Sequence, residues 1–159
     1  MRSWLPVLLA LMLGSSLAFG QAPPARSTGQ TLYLPVYSHI WHGDVDAKGQ
    51  AVKTLMSVLV SIRNTDLARP LQITSAQYYD GDGRKLRNYV PSTQTIPSMG
   101  TYEFFIPRSD DTGGSGANFV VVWKSAAAIN PPIVEDVHAN LPAGRAIAFV
   151  TTARPIATE

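Results

Sequence analysis

Two of the chain's three histidines lie in one short run, His39-Ile40-Trp41-His42-Gly43-Asp44. Imidazole nitrogens bind Zn and Cu, and a nearby carboxylate can orient such a ligand through its second nitrogen. Spacing decides what the run can do. Side chains alternate along an extended strand, so His39 and His42 point to opposite faces while His42 and Asp44 share one. The two histidines meet at a metal only if the chain turns between them; Gly43, between His42 and Asp44, makes a turn plausible in this run. With His138 as a distant third ligand, this gives an alternative reading: a small extracytoplasmic Zn- or Cu-binding protein. The preferred reading is a strand-end aromatic cluster with hydrogen-bonded histidines. Tyr33, Tyr37, His39 and Trp41 share a parity, which makes a stripe that is read first as core and is also the first place to look for a binding surface.

The other loops carry weaker signals. Asp80-Gly81-Asp82-Gly83 opens like a calcium loop, which needs glycine at its sixth position and a bidentate glutamate at its twelfth. Those positions hold Lys85 and Pro91, so a tight hairpin turn is expected instead. The run Ser109-Asp110-Asp111-Thr112-Gly113-Gly114-Ser115-Gly116 could cradle an anion on its peptide N–H groups. No Gly-Lys-Ser/Thr follows and the next element reads as a strand, which excludes a P-loop. Ser115 is not a hydrolase elbow, because Gly113 to Ala117 lacks the final glycine and no helix follows. Asp110-Asp111 and Glu135-Asp136 are adjacent pairs that diverge on a strand or sit in a loop without an evident partner, so both read as exposed charge. The candidate binding residues are Tyr37, His39, Trp41, His42 and Asp44 in the first run, and Asp110, Asp111, Ser115 and Asn118 in the second. No residue takes a catalytic or metal-binding role, no cofactor is expected, and a non-enzymatic binding or accessory module is the leading reading.

These residues need a scaffold, and the sequence describes one. Met1-Arg2-Ser3, an apolar run from Trp4 to Leu13 and small residues at Ala18 and Gly20 form the three parts of a cleavable secretory signal over residues 1–20. The apolar run is shorter than the roughly 20 residues that cross a bilayer. With no cysteine in the chain, neither a lipid-accepting residue nor a disulfide is available. Periplasmic or secreted localisation without a membrane anchor follows as the expectation. The Pro-rich residues 21–30 read as a flexible linker. A formal net charge of +2, without a basic stripe, argues against nucleic acid and leaves an unknown protein or small ligand as partner. Arg84, Lys85 and Arg87 read as a solvated hairpin rim.

From Thr31 onward the period is two. Met56, Val58, Val60 and Ile62 form one face of a strand from Thr54 to Arg63, with Leu59 an apolar intruder among Ser57, Ser61 and Arg63 on the other. Leu71 to Tyr79, Leu86 to Val90, Tyr102 to Ile106, Phe119 to Lys124, Ile133 to His138 and Ala146 to Thr152 read as further strands. A first strand, Leu32 to Trp41, carries Pro35 and is placed at a sheet edge. Ser125-Ala126-Ala127-Ala128 is the one helix-prone stretch and is too short to stand alone. The expected fold is all-β, an immunoglobulin-like antiparallel sandwich of seven to eight strands over residues 31–155.

Four blocks carry a resemblance: Tyr37 to Gly43, Ser61 to Asp66, Tyr78-Tyr79-Asp80 and Gly113 to Phe119. Together they resemble an uncharacterised bacterial exported family catalogued as a domain of unknown function, number thirty-one twenty-four, over about Leu32 to Ala153. The resemblance implies a bacterial exported protein and supplies neither an activity nor site residues.

Overall fold

A computed structural model describes residues 24–158; the signal expected over residues 1–20 lies outside them. Twelve strands and no helix make up the described residues. β1 (Ser27–Val36), β5 (Leu71–Tyr79), β6 (Lys85–Asn88), β7 (Gln94–Ile96), β9 (Ala117–Ile129) and β12 (Arg154–Ile156) form a six-stranded sheet in the order β12-β1-β9-β5-β6, with β7 also on β5. β4 (Ser57–Arg63), β8 (Thr101–Ile106), β10 (Ile133–Asn140) and β11 (Ile147–Thr152) form a second sheet in the order β11-β10-β4-β8. β2 (His39–His42) and β3 (Val52–Leu55) pair only with each other. All pairings are antiparallel.

The core follows from alternation. Leu32, Leu34 and Val36 of β1, Phe119, Val121 and Trp123 of β9, and Leu71 and Ile73 of β5 face Val58, Val60 and Ile62 of β4 in one buried cluster. The inward rows of the two sheets therefore interdigitate as the halves of a sandwich. Branched side chains at every second position suit a pleated, half-buried surface and drive its assembly by apolar burial.

Several expected boundaries are corrected. β1 begins at Ser27, opposite Ile129, so residues 27–30 belong to the sheet and not to a linker. The first strand does not run through to Trp41. It stops at Val36, the chain bends at Tyr37 and Ser38, and His39 resumes in the separate hairpin. Ser38 N–H donates to the Gly114 carbonyl at 3.0 Å and Ser38 C=O accepts Met56 N–H at 2.9 Å; this diverts the chain and also splits the expected 54–63 strand at Met56. β1 is interior between β12 and β9, but its pairing with β12 ends at Tyr33. The Pro35 carbonyl accepts the Thr151 hydroxyl at 2.7 Å on that vacated side. Backbone N–H and C=O of one residue point the same way in a strand, so the N–H that proline lacks costs no ladder bond. Ser125 to Ala128 is strand, within β9.

Candidate functional site

The bend that ends β1 also assembles a cleft. His39, the turn Asp80 to Arg84 and the loop Thr112 to Gly116 line an open cleft of about 450 Å³. Each wall is fixed by local chemistry. Asp80 Oδ1 accepts the N–H groups of Asp82 (3.0 Å) and Arg84 (2.9 Å), and Arg84 Nε donates to Asp80 Oδ2 at 2.8 Å. These backbone donors, and the guanidinium beside them, hold the Asp80 carboxyl below its ordinary range. The opposite wall is stapled to this turn by the Gly81 N–H to Gly113 carbonyl bond of 3.1 Å. Gly113 has no room for a side chain, since a Cβ would overlap the Tyr78 hydroxyl. Gly114 has φ of 78°, a conformation that glycine adopts freely.

His39 forms the inner wall at 7% exposure, and its Nδ1 is buried with no hydrogen-bond partner. Burial holds the imidazole below its ordinary value of 6.5; Lys53 acts in the same direction and Asp111 opposes both. His39 is therefore neutral at neutral pH. Trp41, two residues on and 53% exposed, meets it edge-on with centroids 5.3 Å apart.

The remaining predicted residues are dispersed. Asp110 and Asp111 buttress the loop behind the cleft: Arg87 donates to Asp110 at 2.7 Å and Lys53 to Asp111 at 2.7 Å, which corrects the expectation that neither has a partner. Lys53 holds the Asp111 carboxyl below its usual range. Ser115 lines the cleft. Asn118 lies in β9 opposite Pro35 and Tyr79, away from the cleft lining. His42 is exposed, shares a 2.8 Å hydrogen bond with Thr54 Oγ1, and borders a different groove with Asn140 and Arg145. Asp44 is exposed beyond the Gly43 turn.

Half-buried Tyr37 packs against His138 where β1 ends. Tyr37 N–H donates to His138 Nε2 at 2.9 Å, and the Tyr37 ring stands edge-on to His138 and Phe149. His138 is fully buried, as is Asp136, which corrects the reading of Asp136 as exposed charge. The stripe of Tyr33, Tyr37, His39 and Trp41 is thus divided among three surroundings. The three histidines form no common ligand set, and among the described residues no three His, Cys, Asp or Glu side chains converge on a metal position. The alternative Zn or Cu reading loses its geometry.

The interior pair has its own logic. Because Nε2 of His138 accepts from Tyr37, the proton of the neutral ring sits on Nδ1, 3.4 Å from Asp136 Oδ1. Burial lowers His138 to about 4 and raises Asp136 to about 7, the latter partly offset by Thr151. Thr151 Oγ1 lies 2.6 Å from Asp136 Oδ1 and 2.7 Å from the Pro35 carbonyl. One hydroxyl proton cannot serve both contacts. A protonated Asp136 that donates to Thr151, which in turn donates to Pro35, satisfies them. Sequence reasoning missed this cluster, although Val134, Asp136 and His138 share a parity with the core row.

With this geometry in hand, the comparisons add identity at family level. The family model described as Protein of unknown function (DUF3124) matches residues 29–156. The chain belongs to this family. The DUF3124 match spans both sheets, the β2–β3 hairpin and every residue lining the cleft. No curated protein matches the chain. Among solved structures, the crystal structure of Thermotoga maritima 1070 is similar at 8% identity and a TM-score of 0.43, over 79% of this chain and 92% of that one; a likeness at that level carries no argument.

Proposed function

We propose that this DUF3124 protein is an exported, non-enzymatic binding module with an immunoglobulin-like sandwich, which takes a small polar ligand or a partner's loop in the His39 cleft. One observation carries the reading: the two loop walls are bonded to each other through Gly81 and Gly113, beside the His39 ring that lines the same cleft. Such a cleft is organised before anything binds, so little ordering cost opposes recognition. The apolar part of the contact would come from Trp41 at its edge, and polar contacts from Ser115 and the glycine peptides.

The non-enzymatic part rests on what the polar groups already do. Ser115 and His39 line one cleft without a hydrogen bond between them, and Asp111 is bonded to Lys53 rather than oriented on the imidazole. A nucleophile–base–orienter relay needs both contacts. Export rests on the residue 1–20 signal, and fractionation of the native host tests it.

The test is a thermal-shift screen of small polar metabolites, followed by calorimetric titration of hits against wild type and His39→Ala. A ligand that stabilises the wild type and binds the variant at least about tenfold more weakly supports the reading. Hydrolysis of any substrate that Ser115→Ala abolishes would overturn it.

A further inference from the structure

The four-stranded sheet covers the core with one face and turns the other to solvent, and that outer face is not polar throughout. Leu59 of β4 stands opposite Val137 of β10 and Phe105 of β8, and Val137 stands opposite Val150 of β11. One apolar row therefore crosses all four strands. Phe105 is 55% exposed, Val150 57% and Val137 40%. Scattered apolar residues on a surface mean little, whereas a contiguous ridge marks a contact.

The neighbouring rows make the ridge complementary to itself. Two positions along each strand on one side stand Ser57, Ala139 and Ala148, mutually in register, with Pro107 directly after β8. These small side chains form a trough beside the ridge, about 7 Å away at strand spacing. On the other side of the ridge stand Glu103 and Glu135. Glu135 is paired with Arg63, but Glu103 accepts only from Ser61 and has no cation partner among the described residues. In the turn that follows β8 stands Arg108, exposed and likewise without an ion-pair partner among the described residues.

We infer that this face is the interface of a homodimer, two copies related by a two-fold axis lying in the interface at right angles to the strands, between ridge and trough. That operation lays each ridge on the partner's trough: Leu59 on the partner's Ser57, Val137 on the partner's Ala139, Val150 on the partner's Ala148. The same operation brings Glu103 over the turn that follows the partner's β8, which carries the partner's Arg108, so that the two unpaired charges can pair across the rim. An isologous contact requires this kind of self-complementarity, and aligned sheets pack face to face at about 10 Å. The cleft with His39 is built from other elements and stays open in the dimer.

Sedimentation velocity on the signal-free chain, from about 1 µM to about 100 µM, tests this directly. The wild type sediments as a dimer at the upper end, and Phe105→Asp shifts it to monomer with at least about a tenfold weaker association. If circular dichroism shows Phe105→Asp unfolded, Val150→Lys on the edge strand β11 takes its place. Glu103→Arg and Arg108→Glu each weaken the dimer, and the double variant restores it. A wild type that stays monomeric throughout, a folded Phe105→Asp or Val150→Lys that still dimerises, or a double variant no tighter than its parents overturns the inference.

Discussion

Two histidines, His39 and His138, are nearly or fully buried, both have an Nδ1 without a hydrogen-bond partner, and both are held neutral by burial. Their surroundings differ in every other way. His138 sits between the sheets, its Nε2 occupied by the Tyr37 N–H and its ring stacked on Phe149 at 4.5 Å. His39 lies in the hairpin outside both sheets, in the wall of an open cleft and beside an exposed tryptophan. Burial and a displaced pKa occur at both places, so neither property alone marks a site. What separates them is access: one ring closes a junction between strands and the other borders space a ligand can enter.

The largest expected contrast is in stability. His138→Ala leaves a cavity and strands the Tyr37 N–H, and costs about 3–4 kcal/mol in urea unfolding. His39→Ala costs about 1 kcal/mol. Equal losses would erase the distinction between structural and accessible histidine. Gly113→Ala comes next at about 2–3 kcal/mol, because its Cβ overlaps the Tyr78 hydroxyl in the packed interior. Gly114→Ala, at positive φ with open space around it, costs about 1 kcal/mol. Both are read from the urea midpoint, and a Gly113→Ala protein as stable as wild type would contradict the close packing of this wall.

The pH dependence sharpens the contrast further. Between about pH 4 and 6.5 the folded state keeps Asp136 protonated and His138 neutral, while the unfolded chain has the reverse, given ordinary values of 3.8 and 6.5. Asp136 alone makes stability fall as pH rises through this window, since the folded state holds the extra proton. His138 alone makes it rise, since the unfolded state does. The two slopes cancel in the wild type up to pH 6.5, and Asp136 leaves a shallow loss up to about 7. Asp136→Asn therefore uncovers stability that rises by about 1.4 kcal/mol per pH unit, and His138→Gln uncovers a fall of similar size. Denaturant titrations at several pH values read both; parallel profiles for the two variants would contradict the assignment. The smallest effect belongs to the cleft: Lys53→Ala moves the His39 titration upward and Asp111→Asn moves it downward, read from imidazole proton shifts.

The core rows were legible from period two alone, because Met56 to Ile62 and Phe119 to Trp123 each bury their apolar core residues on one parity. The bend at Tyr37 and Ser38 was not. Aromatic parity continues straight through it, and the bonds that divert the chain come from Gly114 and Met56, remote in sequence. The His39 run and the glycine loop were each visible, but their meeting across one cleft depends on that bend. Arg84 read as rim, whereas its pairing with Asp80 shapes a wall. Leu59 stood out as a lone apolar residue, and only register across four strands turns it into part of a ridge.

On the proposed function, the His39 cleft is where this protein binds. Amide chemical-shift mapping of the isotope-labelled chain against the stabilising metabolites of the thermal-shift screen tests it most directly. Binding in the cleft perturbs amides centred on His39, Asp80 to Arg84 and Thr112 to Gly116. Perturbations centred on the Arg69 and Lys124 groove or on the His42 groove, with the cleft unmoved, would contradict it.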